Sequence, residues 1–553
     1  MTDATGSTQA SRHESPAGAD GSSAIGSRSV TAALIGVALV GIMVLSWLLA
    51  TPPSGGPDEP AHMIRGAAVI RGQLDGEPSE FSASRRVYEI PGWVGHPDPG
   101  CFAFFPYEPA ACATTVPRPD GEAESETGAW KYQVWGHLLP GAGTLAPASI
   151  GTWAARALDA ALPVVVVGLA FFLALRRGRL MFAGVLLAVT PLAWFMFAVV
   201  NPSGLVIAGG VGLWVGLALL ARHPDVLTRW LVAVSWALMT LPRRDGLLWA
   251  VLILAVVMLV DGATLRSLWR GLGPGPVALA GTATLATLAW AAMSDVTSVE
   301  LLLLTPFVPI AVDAGRWAWN AAWMAGHIRK FAATIAVVAV GAFAIYIVMD
   351  RREGGYDADV MRIVIGRTGL HLNEAIGMLG WLDTPIPTSL AFAWLVGLGV
   401  LSAGAIAIGD RRLLAAAGLI VVTGVLASWV LEMAQGDPTG TYWQGRYYLP
   451  FLVGIPIMLG RARLPDGFST RLANALVLLA LVVPNVALAA AMRRWSVGLA
   501  GSMFPWDWNT YNSPVPPVVL LAMSVAASVG LWTWARRLTP TSTGIVAPGE
   551  VRE

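Results

Sequence analysis

Charge is what this chain has least of. Only 13% of its 553 residues are charged, about half the ~25% of an ordinary soluble domain. Lys131 and Lys330 are the only lysines, and Cys101 and Cys112 the only cysteines. So little charge beside 55% hydrophobic residues excludes an ordinary soluble enzyme and a disordered chain. The apolar runs are too long for an outer-membrane barrel, whose strands alternate over only ~10 residues. A net charge of +1 provides no basic field to neutralise phosphates, so no nucleic-acid partner is expected. Neither a Walker-type phosphate loop nor a Rossmann fingerprint occurs. The preference for arginine over lysine, with heavy Ala, Gly and Val usage, fits GC-rich codon choice and a bacterial source.

What is present reads as an all-α polytopic membrane protein. Apolar stretches fall at roughly 30–50, 157–175, 180–200, 203–221, 228–242, 246–260, 274–292, 300–320, 331–349, 388–408, 413–431, 447–460, 472–491 and 515–535. The stretch at 300–320 is the weakest, because Asp313 and Arg316 follow its apolar half, and a broken or re-entrant segment is an alternative there. With the N-terminus inside and every stretch counted, the arginine-rich connections all fall on one side, as the positive-inside rule asks. The expectation is therefore about 14 transmembrane helices with both termini cytoplasmic, in a bacterial plasma membrane. Residues 1–28 read as a disordered cytoplasmic tail, 29–537 as the membrane domain, and 538–553 as a second tail. The first exoplasmic loop, 51–156, is long.

Cys101 and Cys112 both fall in that loop. In an oxidising compartment they read as one disulfide, against free thiols or a metal site, for which His96 is the only close extra ligand. The loop opens with Pro57-Asp58-Glu59-Pro60-Ala61-His62. Pro60 suits a first helical turn that Asp58 or Glu59 can cap, and Glu59, His62 and Arg65 then share a face. One reading is a capped helix with solvated neighbours and a solvated or lipid-facing Arg65. The other gives Asp58 and Glu59 catalytic work, as a general base toward a hydroxyl or, with His62, as ligands of a divalent metal.

Five stretches in order resemble the bacterial membrane-protein family catalogued as domain of unknown function 2142. They are Pro57 to His62, Cys101 to Cys112, Asn201-Pro202-Ser203-Gly204, Gly380-Trp381-Leu382-Asp383-Thr384-Pro385, and Gln444-Gly445-Arg446-Tyr447-Tyr448-Leu449-Pro450. The resemblance implies a GT-C-like fold over about residues 30–490. Such glycosyltransferases carry an acidic motif in the first exterior loop and take a sugar from a polyprenyl phosphate. The partners implied are the lipid bilayer, a polyprenyl-phosphate sugar donor, and a glycan or glycolipid acceptor. Ser203 stands where the resemblance leads one to expect a second asparagine; it keeps a capping hydroxyl but loses an amide.

Further candidate binding residues each have a plainer alternative. Trp381 and Asp383 contact sugar or form an interfacial turn. Arg446, beside Gln444 and Tyr447, grips phosphate or is an ordinary interface arginine. Arg243 and Arg244 hold an anion, or are paired locally by Asp245. Trp506, Asp507 and Trp508 line a sugar site or form an aromatic belt. A transporter or a non-catalytic assembly protein of the cell envelope is the alternative to an enzyme.

Overall fold

The computed structural model describes residues 27–96, 98–115, 121–221, 224–294, 305–320, 358–435, 441–508 and 513–538. The expected tails, 1–28 and 538–553, and the expected span at 331–349 lie largely or wholly outside them. Among the described residues, eight helices are long and apolar enough to cross a membrane: Ser29–Ala50, Gly151–Leu175, Pro202–Leu220, Pro274–Met293, Thr388–Ala407, Arg411–Met433, Asp466–Val497 and Pro517–Leu538. All eight coincide with stretches expected from the sequence.

The expected spans at 180–200, 228–242 and 447–460 are shorter helices, and their sequences explain two of them. Arg179–Ala188 stops where Pro191 follows, and the Thr190 side chain caps a new helix, Pro191–Met196, by accepting from Ala193 N. Proline at a first turn starts a helix more readily than it continues one. Pro450 and Pro456 sit in the short pair Gly445–Leu452 and Gly454–Leu459. Val226–Thr240 is simply 15 residues long, below the ~20 a span needs. Among the described residues, short apolar helices thus pack beside the eight long ones.

Pro202–Leu220 lies at the centre, with every side chain buried. It is apolar all round, as a helix with neighbours on every side must be. Around it pack Val226–Thr240, Gly151–Leu175, Asp245–Asp261 and Gly445–Leu452. Pro274–Met293, Thr388–Ala407 and Arg411–Met433 are mostly unburied. They turn outward residues such as Phe392, Leu395 and Val422, which is the dress of a lipid-facing helix.

Asp313 and Arg316 belong to the helix Phe307–Asn320, and they clamp a break elsewhere. Asp245–Asp261 and Leu265–Leu272 meet at 108°. Arg316 donates to the carbonyls of Met258, Gly262 and Ala263, while Asp313 accepts from Leu265 N at 2.9 Å. Each charge meets the helix end whose orphaned groups it can satisfy.

The segment between the first two spans folds onto the bundle. It contains the helix Glu59–Ile70, an antiparallel sheet of Glu77–Pro78, Arg86–Pro91 and Glu122–Thr127, and the helix Leu138–Gly143. Gly66 and Gly141 let the two helices touch backbone to backbone: a Cβ on Gly66 would stand 3.1 Å from Gly141 N. Arg65 is buried, neither solvated nor lipid-facing, and donates to Leu74 O at 2.7 Å and to the Tyr88 hydroxyl at 2.9 Å. It ties the sheet to the helix.

Cys101 and Cys112 form a disulfide. The loop they close is held by Arg494, which donates to the carbonyls of Phe102, Phe105 and Glu108 and to Asp383 Oδ2 at 2.7 Å. Asp383 also accepts from Phe104 N, Trp381 N and the Thr384 hydroxyl. It thereby locks the turn between the paired strands Met378–Leu379 and Thr384–Pro385. Replacing Arg494 with Met leaves the Asp383 carboxylate buried without its cation, at a cost of ~3–5 kcal/mol. The expected outcome is a lower melting temperature in detergent and faster proteolysis within residues 101–112. Unchanged values for both would remove Arg494 as the clamp.

Candidate functional site

Glu59 opens the helix Glu59–Ile70 and is 1% exposed; Arg156, inside Gly151–Leu175, is fully buried. The two make a bidentate pair, Arg156 Nε to Glu59 Oε1 at 2.7 Å and Nη2 to Oε2 at 2.6 Å. Val200 N and Gly56 N donate to the same carboxylate. Arg156 also donates to the carbonyls of Leu48, Thr51 and Pro52. Every strong acceptor direction on Glu59 is taken, so its geometry fits a structural anchor and not the catalytic role expected of it. Sequence reading passed over Arg156. The available signal was a pair of ionisable residues, Arg156 and Asp159, three apart in an otherwise apolar helix.

Asp58 is placed differently from its neighbour. Its backbone is in the left-handed region, φ 58° and ψ 9°, and its side chain makes no capping hydrogen bond. Aspartate tolerates this conformation better than most residues. The consequence is a carboxylate turned away from its own helix, toward Arg446. Arg446 Nη2 donates to Asp58 Oδ2 at 2.6 Å, with the arginine side chain 4% and the aspartate 48% exposed. Asn201, a candidate for ligand contact, instead caps Pro202–Leu220 and donates Nδ2 to Pro57 O at 2.8 Å. It buttresses the Asp58 turn.

Arg243 and Arg446 both lie against the Tyr447 ring. The guanidinium carbons lie 4.5 and 5.1 Å from the Tyr447 ring centre. Asp245 pairs Arg243 at 2.9 Å, and Arg243 Nη1 donates to the Ser203 hydroxyl at 3.2 Å. The residue that departs from the expected pattern therefore helps Asp245 to orient this arginine. Arg446 Nε is buried and has no acceptor among the described residues. Arg244 is partly exposed beside Asp245 and Tyr442. Gln444 precedes Gly445–Leu452, and its Oε1 is buried without a partner.

His62 completes the cluster, with two residues that sequence reading missed. Its Nδ1 lies 3.1 Å from His137 Nε2, and its ring meets Tyr132 edge-on at 4.9 Å. His137 Nδ1 lies 3.0 Å from Gln133 O. Burial, then His137, Arg446 and Arg243, hold the His62 imidazole well below its ordinary value. Burial holds His137 down to about 4. Burial likewise raises the Tyr132 phenol, and that of Tyr442 to about 12. Tyr132 and His137 sit in a stretch without motif character, and only the fold brings them here.

Asp58, His62, Arg243, Arg446 and Tyr447 therefore converge. Trp381 lies alongside, donating Nε1 to Ser54 O at 2.9 Å, while its neighbour Asp383 is the turn lock described above. Trp506 is exposed and stacks on Phe504 at 5.0 Å. The metal expectation for Asp58, Glu59 and His62 meets a contrary geometry: Glu59 is closed by Arg156, and among the described residues no three His, Cys, Asp or Glu side chains gather around a metal-sized centre.

The histidine pair sets a pH dependence. Its folded-state values lie below the unfolded ~6.5, so the unfolded chain binds more protons between about pH 4 and 6.5. Stability contributed by the neutral pair is complete above ~6.5 and falls as pH drops through that window, by up to ~3 kcal/mol for His137. Thermal melts in detergent from pH 8 to 4 should show the fall, and His137→Gln should flatten it. A wild-type melting temperature constant down to pH 4 would contradict the buried neutral pair.

The chain belongs to the family described as predicted membrane protein, domain of unknown function 2142, whose model matches residues 41–455. No curated protein and no solved structure matches it.

Proposed function

We propose that this member of the family is an inverting glycosyltransferase of the GT-C type. It takes its sugar from a polyprenyl phosphate at the outer face of the bacterial cytoplasmic membrane and serves envelope glycan assembly. The observation that carries the reading is the pairing of a half-exposed Asp58 carboxylate with Arg446, beside a second arginine, Arg243, at the same Tyr447 ring. That arrangement supplies a base and an anion grip a few ångströms apart.

In the reaction, the acceptor hydroxyl oxygen attacks the anomeric carbon of the donor sugar. The bond from that carbon to the phosphate oxygen breaks, and its electron pair stays on the phosphate. Asp58 takes the hydroxyl proton. Arg446, whose Nε–H is unused, and Arg243 hold the phosphate as its charge grows. Glu59 and Asn201 act on the geometry alone, by fixing the turn that presents Asp58. No metal enters the scheme.

A transport reading needs charges along a path through the bundle. Among the described residues, two deeply buried charge pairs, Glu59 with Arg156 and Asp261 with Arg461, are closed on themselves, which favours the enzyme.

Asp58→Asn is the informative variant, because asparagine also tolerates the left-handed backbone. In an assay of purified protein with polyprenyl-phosphate sugars and envelope glycan acceptors, it should lose ~10²–10⁴-fold in transfer rate while keeping the wild-type melting profile. Full transfer by this variant would take the base role from Asp58. Unaltered envelope glycans in a deletion strain would sink the glycosyltransferase assignment itself.

A further inference from the structure

The hydrogen-bond chain behind His62 has a fixed direction. A carbonyl oxygen only accepts, so at 3.0 Å from Gln133 O it is His137 Nδ1 that carries hydrogen. In the neutral ring His137 Nε2 is then a lone pair. At 3.1 Å from it, His62 Nδ1 must be the donor. That leaves His62 Nε2 as the open lone pair. It has no protein partner among the described residues, on a buried ring that also feels His137, Arg446 and Arg243.

The charged and titratable groups around this ring can be named element by element. Tyr132 and His137 face it from the segment before Leu138–Gly143. Arg243 comes from the turn before Asp245–Asp261, with Asp245 as its partner. Arg446 comes from Gly445–Leu452, with Asp58 as its partner. On its own helix, Arg65 acts on His137. Both nearby arginines already have one carboxylate each, and the imidazole between them is neutral.

We propose that His62 takes up a proton at Nε2 when a phosphate ester binds between Arg243 and Arg446, so that a third cationic donor faces the anion. The inference rests on the phosphate site of the proposed function, but not on the transfer step. Three features support it. A dianionic phosphate monoester offsets the part of the unfavourable field that comes from Arg446 and Arg243, and places a negative charge beside the buried ring. The new proton needs no rearrangement, since Nδ1–H already points at His137 and the relay stays intact. The resulting N–H makes a charge-assisted bond to phosphate, stronger than one from a neutral ring. In the transfer reaction the phosphate gains its second negative charge when the sugar–oxygen bond breaks. His62 therefore answers the departing monoester more strongly than the incoming diester.

Farnesyl phosphate is a suitable probe, a short polyprenyl monoester whose second ionisation lies near ~6. Titration calorimetry of the full chain in detergent at pH 7.5, in two buffers of different ionisation enthalpy, counts the protons. The expected uptake is roughly one proton per bound phosphate for the wild type and near zero for His62→Gln. Nitrogen NMR of histidine-labelled wild-type protein gives a reading that needs no variant. One imidazole should pass from a neutral Nδ1–H tautomer to imidazolium on adding the probe. Binding without proton uptake, or with all imidazoles still neutral, overturns the role of His62 and leaves the phosphate site standing. Equal uptake by His62→Gln also overturns it. No binding of farnesyl phosphate by the wild type removes the phosphate site and this inference together.

Discussion

Arg156 enters the bundle one turn inside a membrane helix and donates to the Leu48, Thr51 and Pro52 carbonyls and both oxygens of Glu59. The carbonyls close the C-terminal end of the first span, where orphaned acceptors need donors. The carboxylate starts the next helix. One guanidinium thus welds the exit of the first span to the entrance of the loop that follows. A buried ion pair adds little net stability when complete, yet losing one partner costs several kcal/mol. Its value here is positional: residues 51–58 have almost no freedom between its two ends.

Asp58 is the beneficiary. With Glu59 fixed, Pro57 held by Asn201, and φ positive at Asp58, the carboxylate has one direction to take. It reaches an arginine 388 residues away in sequence. The same scaffolding sets His62 one turn on, where the contact of Gly66 with Gly141 draws His137 into hydrogen-bond range. Two adjacent acidic residues, alike in composition, therefore diverge completely: one is sealed by Arg156 and the other is a half-exposed carboxylate paired with Arg446. Environment, not residue type, separates them.

Much of the architecture was legible beforehand. Long apolar runs must be satisfied by their own backbone in lipid, so they become helices, and eight appear where hydropathy places them. Where expectation and structure part, proline and length decide: at Pro191 the apolar run continues while a new helix starts, and the run holding Pro450 and Pro456 is two short helices that meet at Val453. The candidate residues show a similar division. Asp58, His62, Arg243, Arg446 and Tyr447 meet in space. Asp383 and Asn201 turn out to hold turns and helix ends. Arg65 changes from a presumed surface residue to a buried strut.

The sequence by itself determined that this is a many-span membrane protein with its rare charges held to a few places. That follows from transfer energies, which depend on composition and local pattern alone. It also pointed to a disulfide between the two cysteines of one loop, which the structure contains. Only the tertiary structure decided which of two neighbouring carboxylates is free, and that Tyr132 and His137 belong to the site. It also decided that His62, His137 and the Gln133 carbonyl form one hydrogen-bonded row. Those properties depend on contacts between segments tens to hundreds of residues apart. Such contacts exist only once helix packing has chosen which faces meet.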